Sequence, residues 1–91
     1  MHEIKQGENR FYIGETEEDR IAEIHFVPTG KTQLIVDHTE VSDQLKGTGM
    51  GKKLVERIVQ YTRDEDKKIV PLCPFAKAVI EKNEAWHDVL K

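Results

Sequence analysis

Hydrophobic residues follow a two-residue period in the first part of the chain and a helical period in the second. Phe11-Tyr12-Ile13-Gly14 is a short aromatic strand signal. From Arg20 to Val27, Ala22, Ile24 and Phe26 alternate with Glu23 and His25, the pattern of a strand with one buried face. Pro28-Thr29-Gly30-Lys31 supplies turn chemistry, and Thr32 to Val36 is a second β-branched run, so an antiparallel meander is expected.

Past the middle of the chain the period changes. Met50, Leu54, Val55, Ile58, Val59 and Thr62 recur at helical spacing, with Lys52, Lys53, Glu56, Arg57 and Gln60 on the other side. Lys68 to Cys73 reads as a short buried strand. Pro71 has no amide donor, which puts it at an edge or where pairing stops. Pro74 suits the first turn of a helix over Phe75 to Lys82, and Glu84 to Leu90 reads as a last helical segment. Strands, helix, strand and helix in that order predict an α/β (α+β) domain, a sheet covered by helices, over residues 1–91.

Composition narrows the function. Leu, Ile, Val and Phe make up about a quarter of the chain, above the level at which disorder sets in. A core this small must be efficient or helped by association, so a monomer or weak homodimer is expected. The apolar runs are far shorter than a membrane span, and the N-terminal residues lack a secretory pattern. A net charge of −3 offers no basic footprint for nucleic acid. The one cysteine, Cys73, fits a reducing cytoplasm. Two charged clusters, Glu15 to Arg20 and Arg63 to Lys68, read as solvated connections; an acidic interaction surface is the competing reading.

The chemistry concentrates between Lys46 and Lys53. Gly47, Gly49 and Gly51 alternate with Thr48 and Met50 immediately before the long helix, so successive amides can curl around an anion and the helix adds its own unpaired N–H groups. A phosphate or pyrophosphate is the expected guest, with Lys46, Lys52 and Lys53 adding charge. The spacing is not a P-loop: Lys46 stands where its first glycine would fall, and Lys53 where Ser or Thr would follow. It is not the dinucleotide fingerprint either, because Lys52 occupies the position of the last glycine.

Lys46 to Gly51 resembles the pyrophosphate loop of the GNAT superfamily of acetyl-CoA-dependent N-acetyltransferases. Asp37-His38-Thr39-Glu40-Val41, Gly51 to Val55 and Ile69 to Phe75 together are similar to a short, single-domain bacterial subgroup with a Cys-Pro-Phe segment. The resemblance implies a truncated acyl-CoA N-acyltransferase fold, a meander followed by helix-strand-helix. It implies coenzyme A with its pyrophosphate at Lys46, Gly47, Thr48, Gly49, Met50, Gly51 and Lys52. The pantetheine arm then lies beside Thr39, Glu40 and Val41, with Asn83 and Trp86 as neighbours from the last helix. Lys46 replaces the usual Gln or Arg, and Trp86 falls near a position where many members carry a tyrosine acid. The segments that commonly build the acceptor pocket are missing, so the acceptor does not carry over.

Acetyl transfer to an amine needs a proton acceptor and donors for a developing oxyanion. His38 and Glu40 share one face of their strand and are candidate bases. Cys73, between a strand and a helix, could take the acetyl group transiently, form a disulfide with coenzyme A, or be an inert buried residue. His2, His25 and His87 show no metal-ligand spacing, so no metal is expected. The expected activity is acetyl transfer from acetyl-CoA to a primary amine of a small molecule or protein. The alternative is a non-catalytic acyl-CoA-binding or sensing module.

Overall fold

A computed structural model describes residues 3–91, so His2 lies outside the described residues. Strands β1 (Lys5–Gly7), β2 (Arg10–Gly14), β3 (Arg20–Thr29), β4 (Gln33–Val41) and β5 (Lys68–Pro71) form one sheet in sequential order. The first three pairings are antiparallel, and β4 pairs with β5 in parallel. Helix α1 (Met50–Asp64) makes the crossover between β4 and β5, as parallel strands require. Helix α2 (Pro74–Glu81) follows, and a 3-10 segment, Glu84–Val89, ends the chain against β5 through the Ile69–Leu90 bridge.

The alternation in β3 works as its sequence requires. Ala22, Ile24 and Phe26 face the helices together with Phe11, Ile13, Leu34 and Val36, and all are nearly inaccessible. Leu54, Val55, Ile58 and Val59 of α1 and Ala76 and Ile80 of α2 complete the same core. Each of the Leu, Ile, Val and Phe side chains contributes on the order of 1.5–3 kcal/mol relative to exposure. Thr62, at the end of the α1 stripe, is buried because its hydroxyl donates to the Ile58 carbonyl at 2.6 Å. The helices cover one face of the sheet. The other carries Arg10, Glu23, His25, His38 and Glu40, which are cross-strand neighbours.

Several boundaries differ from the sequence expectation, each for a local reason. Strand β1 has no periodic signal in Lys-Gln-Gly; it forms because Asn9, at φ 56°, closes a tight turn back onto it. Strand β5 ends at Pro71, two residues early, because the next two amides both turn to the Val36 carbonyl. The last segment is 3-10 rather than α-helical. The charged clusters are not merely solvated. Glu17 receives Arg10 at 2.7 Å, and Arg63 pairs with Asp88 at 2.7 Å.

Candidate active site

The sheet opens where β4 and β5 part. Val36 is the last β4 residue paired with β5, opposite Pro71. Leu72 and Cys73 then donate to the Val36 oxygen, both at 3.0 Å, and the chain turns into α2. Strand β4 continues to Val41 with β3 on one side only. The Ser42 amide bonds to the Ile21 oxygen on β3. Alternation along the strand therefore aims the backbone groups of Glu40 and His38 at β3, and those of Thr39 and Val41 at the open edge. An extended ligand could add itself there as a strand would.

The glycine loop faces this edge. A cavity of ≈ 470 Å³ is lined by Thr39 and Val41 from β4, Leu45 to Gly47 and Gly49 to Lys52 from the loop and α1, and Phe75 and Val79 from α2. The three glycines are required for different reasons. Gly47 and Gly49 sit at φ 81° and 82° in open space, so conformation selects them. A Cβ on Gly51 would lie 2.9 Å from the Phe75 ring and 3.6 Å from Val41, so close approach selects it.

Gly49 is the N-cap of α1 and no side chain caps it. The first intrahelical bond runs from the Lys53 amide to the Gly49 oxygen at 3.1 Å, which leaves the amides of Met50, Gly51 and Lys52 without an intrahelical acceptor. Among the described residues, the amides of Gly47 and Gly49 also have no protein acceptor. Thr48 is different. Its amide and its hydroxyl both bond to the Leu45 oxygen, and it does not line the cavity. Lys46 lines it while pairing with the exposed Asp43 at 3.0 Å.

Cys73 lies across the parting of the strands from Thr39, with its sulfur 3.5 Å from the Thr39 hydroxyl. It is 5% exposed and packed within the core. Phe75, two residues on, is 45% exposed. Neither Phe75, within the Cys-Pro-Phe segment, nor Val79 carries a local sequence pattern that marks a site residue. The signal for both is tertiary, since α2 has to be laid against Gly51 before they line anything.

His38 and Glu40 occupy the outer face, on the opposite side of β4 from Thr39 and Val41. Glu40 borders a separate recess of ≈ 300 Å³ with Arg20, Glu23 and Ser42. His38 Nε2 is 3.2 Å from Glu23, whose carboxylate also meets Arg10 at 2.9 Å and Arg20 at 3.1 Å. Burial pushes the Glu23 carboxyl up, but the His38 hydrogen bond and the charges of Arg20 and Arg10 together hold it below its ordinary value. Burial likewise raises Asp37, but its hydrogen bond with His25 at 2.7 Å, the His25 charge, a backbone hydrogen bond and the His38 charge together hold it below its ordinary value.

Asn83 and Trp86 are not among the residues that line the cavity. Asn83 donates to the Val79 oxygen at 2.7 Å, and Trp86 borders a hollow along α1 with Lys53, Arg57 and Arg63. His87 meets the Glu81 carbonyl at 3.1 Å.

A strand edge left open beside an uncapped glycine turn is the arrangement of an acyl-CoA N-acyltransferase fold. Residues 10–89 match the GCN5-related N-acetyltransferase family. A GCN5-like protein from Staphylococcus aureus, solved in solution by NMR, is 45% identical to this chain, with a TM-score of 0.82. The alignment covers 98% of this chain and 87% of that one. No curated protein matches the chain significantly. The chain belongs to the GCN5-related N-acetyltransferase family, and its enzyme class is accordingly acetyltransferase. Among the described residues, no helix is long and apolar enough to cross a membrane.

Proposed function

We propose that the protein uses acetyl-CoA to acetylate a primary amine on a small molecule or a protein. The observation that carries this reading is a single cavity bounded both by unpartnered loop amides and by the free edge of β4. The amides of Gly47, Gly49, Met50, Gly51 and Lys52 would receive the pyrophosphate, with the dipole of α1 behind them. Lys46 and Lys52 add positive charge at the same mouth. Thr39 and Val41 would pair with the pantetheine amides through their backbone, while Glu40, on the outer face, would not.

An arm laid along β4 from the glycine loop ends near Thr39 and Cys73, where the strands part. The thioester carbonyl would be attacked there by a neutral amine. The amine loses a proton as the C–N bond forms, and the departing coenzyme A thiolate gains one. His38 and Glu40 are the candidate proton acceptors, reached from the outer face. The Cys73 thiol is buried in the core and is not part of the cavity lining, which favours direct transfer over a covalent relay. In this reading residues 1–91 form one domain, acting in the cytoplasm as a monomer or weak homodimer.

Calorimetry with acetyl-CoA, followed by thiol release in the presence of an amine panel, tests the proposal. Binding that is lost in Gly49→Glu, with amine-dependent thiol release in the native protein, is the expected result. Binding unaffected by that substitution overturns the placement of the pyrophosphate. Binding without turnover across a broad panel would leave the acyl-CoA-sensing alternative.

A further inference from the structure

We propose that His25, Asp37 and His38 form a binding site for a divalent transition metal ion such as Zn²⁺ or Co²⁺ on the outer face of the sheet. The three residues are brought together by a bulge. Register runs His25 opposite His38 and then Phe26 opposite Val36, so Asp37 is an extra residue in β4. Ordinary alternation would send Asp37 and His38 to opposite faces, whereas a bulge sets two residues against one and re-aims them. The result is that one ligating atom from each of His25, Asp37 and His38 falls within 4.8 Å of the others.

The donor geometry is close to what a metal needs. His25 Nδ1 is 2.7 Å from Asp37 Oδ1, and His38 Nδ1 is 3.9 Å from the same oxygen. Ligand atoms held about 2.0–2.1 Å from a tetrahedral ion stand roughly 3.3 Å apart, between those two separations. The imidazole rings are stacked, 10° apart in plane and 5.2 Å between centroids, so the two side chains must turn about their χ angles to bring both in-plane Nδ1 lone pairs onto one ion. Two imidazoles and a carboxylate suit borderline first-row ions rather than Mg²⁺ or Ca²⁺.

A supporting shell already exists. His38 Nε2 lies 3.2 Å from the Glu23 carboxylate, and Glu23 is fixed in turn by Arg10 and Arg20. A proton on Nε2, donated to Glu23, leaves the Nδ1 lone pair facing Asp37. That is the carboxylate–histidine arrangement that orients metal-bound imidazoles. A second grouping, Glu23 with His38 and Glu40, is also compact, but two arginines already occupy Glu23. Half-exposed His38 and Asp37 give an ion access from solvent, and three protein ligands leave a position for water.

The site stands apart from the acetyl-CoA reading in every respect but one. The His38 Nδ1 lone pair can bind a metal or accept a proton from an amine, not both at once.

The test uses the untagged full chain without acetyl-CoA. Titration with Co²⁺ should produce visible ligand-field absorption that saturates at one ion per chain. On Zn²⁺ addition, ring ¹⁵N signals of His25 and His38 should shift in the pattern of Nδ1 coordination, while those of His87 stay in place. His25→Asn and His38→Asn should each weaken binding by at least about tenfold, and Glu23→Gln by about 10–100-fold. Unshifted His25 and His38 signals in the native chain would overturn the site. So would an affinity unchanged in His25→Asn and His38→Asn.

Discussion

Gly51 and Phe75 are in mutual contact across the mouth of the cavity: a methyl group on residue 51 would sit 2.9 Å from the edge of the Phe75 ring. The contact joins the first turn of α1 to the first turn of α2. Gly51→Ala should therefore destabilise the fold by about 1–3 kcal/mol through overpacking. It should also weaken coenzyme A binding about tenfold or more, since the ring or the helix must move into the ligand's space. Phe75→Ala removes the obstacle, so Gly51→Ala combined with Phe75→Ala should recover most of the stability lost by Gly51→Ala alone. Urea denaturation of the four proteins gives the coupling energy, expected at about 0.5–3 kcal/mol for residues in contact. Additive effects would mean that the two residues do not share the space.

Gly49 makes the complementary case, because nothing surrounds it. Its φ of 82° penalises any residue with a Cβ, by roughly 1–2 kcal/mol for alanine and less for asparagine. Gly49→Ala should therefore lose stability while retaining measurable coenzyme A binding. Gly49→Glu should lose binding outright, since it places a negative charge beside the amides proposed to receive the pyrophosphate. Calorimetry on the two variants separates conformation from charge. Equal losses of affinity would show that loop shape alone is responsible.

The glycine loop and α1 were legible in the sequence because each writes a local pattern: alternate glycines before a helical period. Pro71 marked a place where pairing stops, through its missing amide, although the strand itself was expected to run on to Cys73. The bulge at Asp37 leaves no such mark, because an extra residue in a strand changes register without changing composition. His25, Asp37 and His38 consequently look unrelated in sequence and meet only after β3 and β4 pair. Phe75 and Val79 were hidden because their role depends on how α2 lies against Gly51 and the open edge. The placement of Asn83 and Trp86 beside coenzyme A came from the resemblance alone; Trp86 borders the hollow along α1.

The Glu23 network sets an acid limit on stability. Its carboxyl is held below the ordinary 4.5 in the folded chain, so protons bind the unfolded chain more readily. The stabilisation is complete above the unfolded value and is lost as pH falls through the lower folded value. Asp37, also lowered, acts in the same sense. Glu23→Gln should cost about 3 kcal/mol at neutral pH, the lower end for breaking a buried ion pair, because Arg10 and Arg20 lose their shared partner. It should also flatten the decline in stability between neutral and acid pH. Urea midpoints across that range provide the measurement, and parallel slopes for variant and native protein would contradict the assignment.

Cys73 decides whether transfer is direct. Its amide is held by Val36 at 3.0 Å, its thiol lies 3.5 Å from the Thr39 hydroxyl, and its side chain is shut inside the core. A nucleophile must be able to leave such a setting and reach the thioester carbonyl, and a side chain packed in the core is not placed to do so. Cys73→Ala should consequently cost about 1 kcal/mol of stability, from a lost hydrogen bond and a small void, and lower turnover only severalfold. A covalent relay would instead lose on the order of a thousandfold or more, as removal of a nucleophile does. Intact-mass measurement after incubation with acetyl-CoA should find the native chain unmodified, and a stoichiometric acetyl adduct absent from Cys73→Ala would establish the relay. The Thr39 hydroxyl supplies an independent check. If Cys73 takes no covalent part, Thr39→Val should raise the KM for acetyl-CoA and leave kcat nearly unchanged, because packing beside the arm affects binding more than the transfer itself.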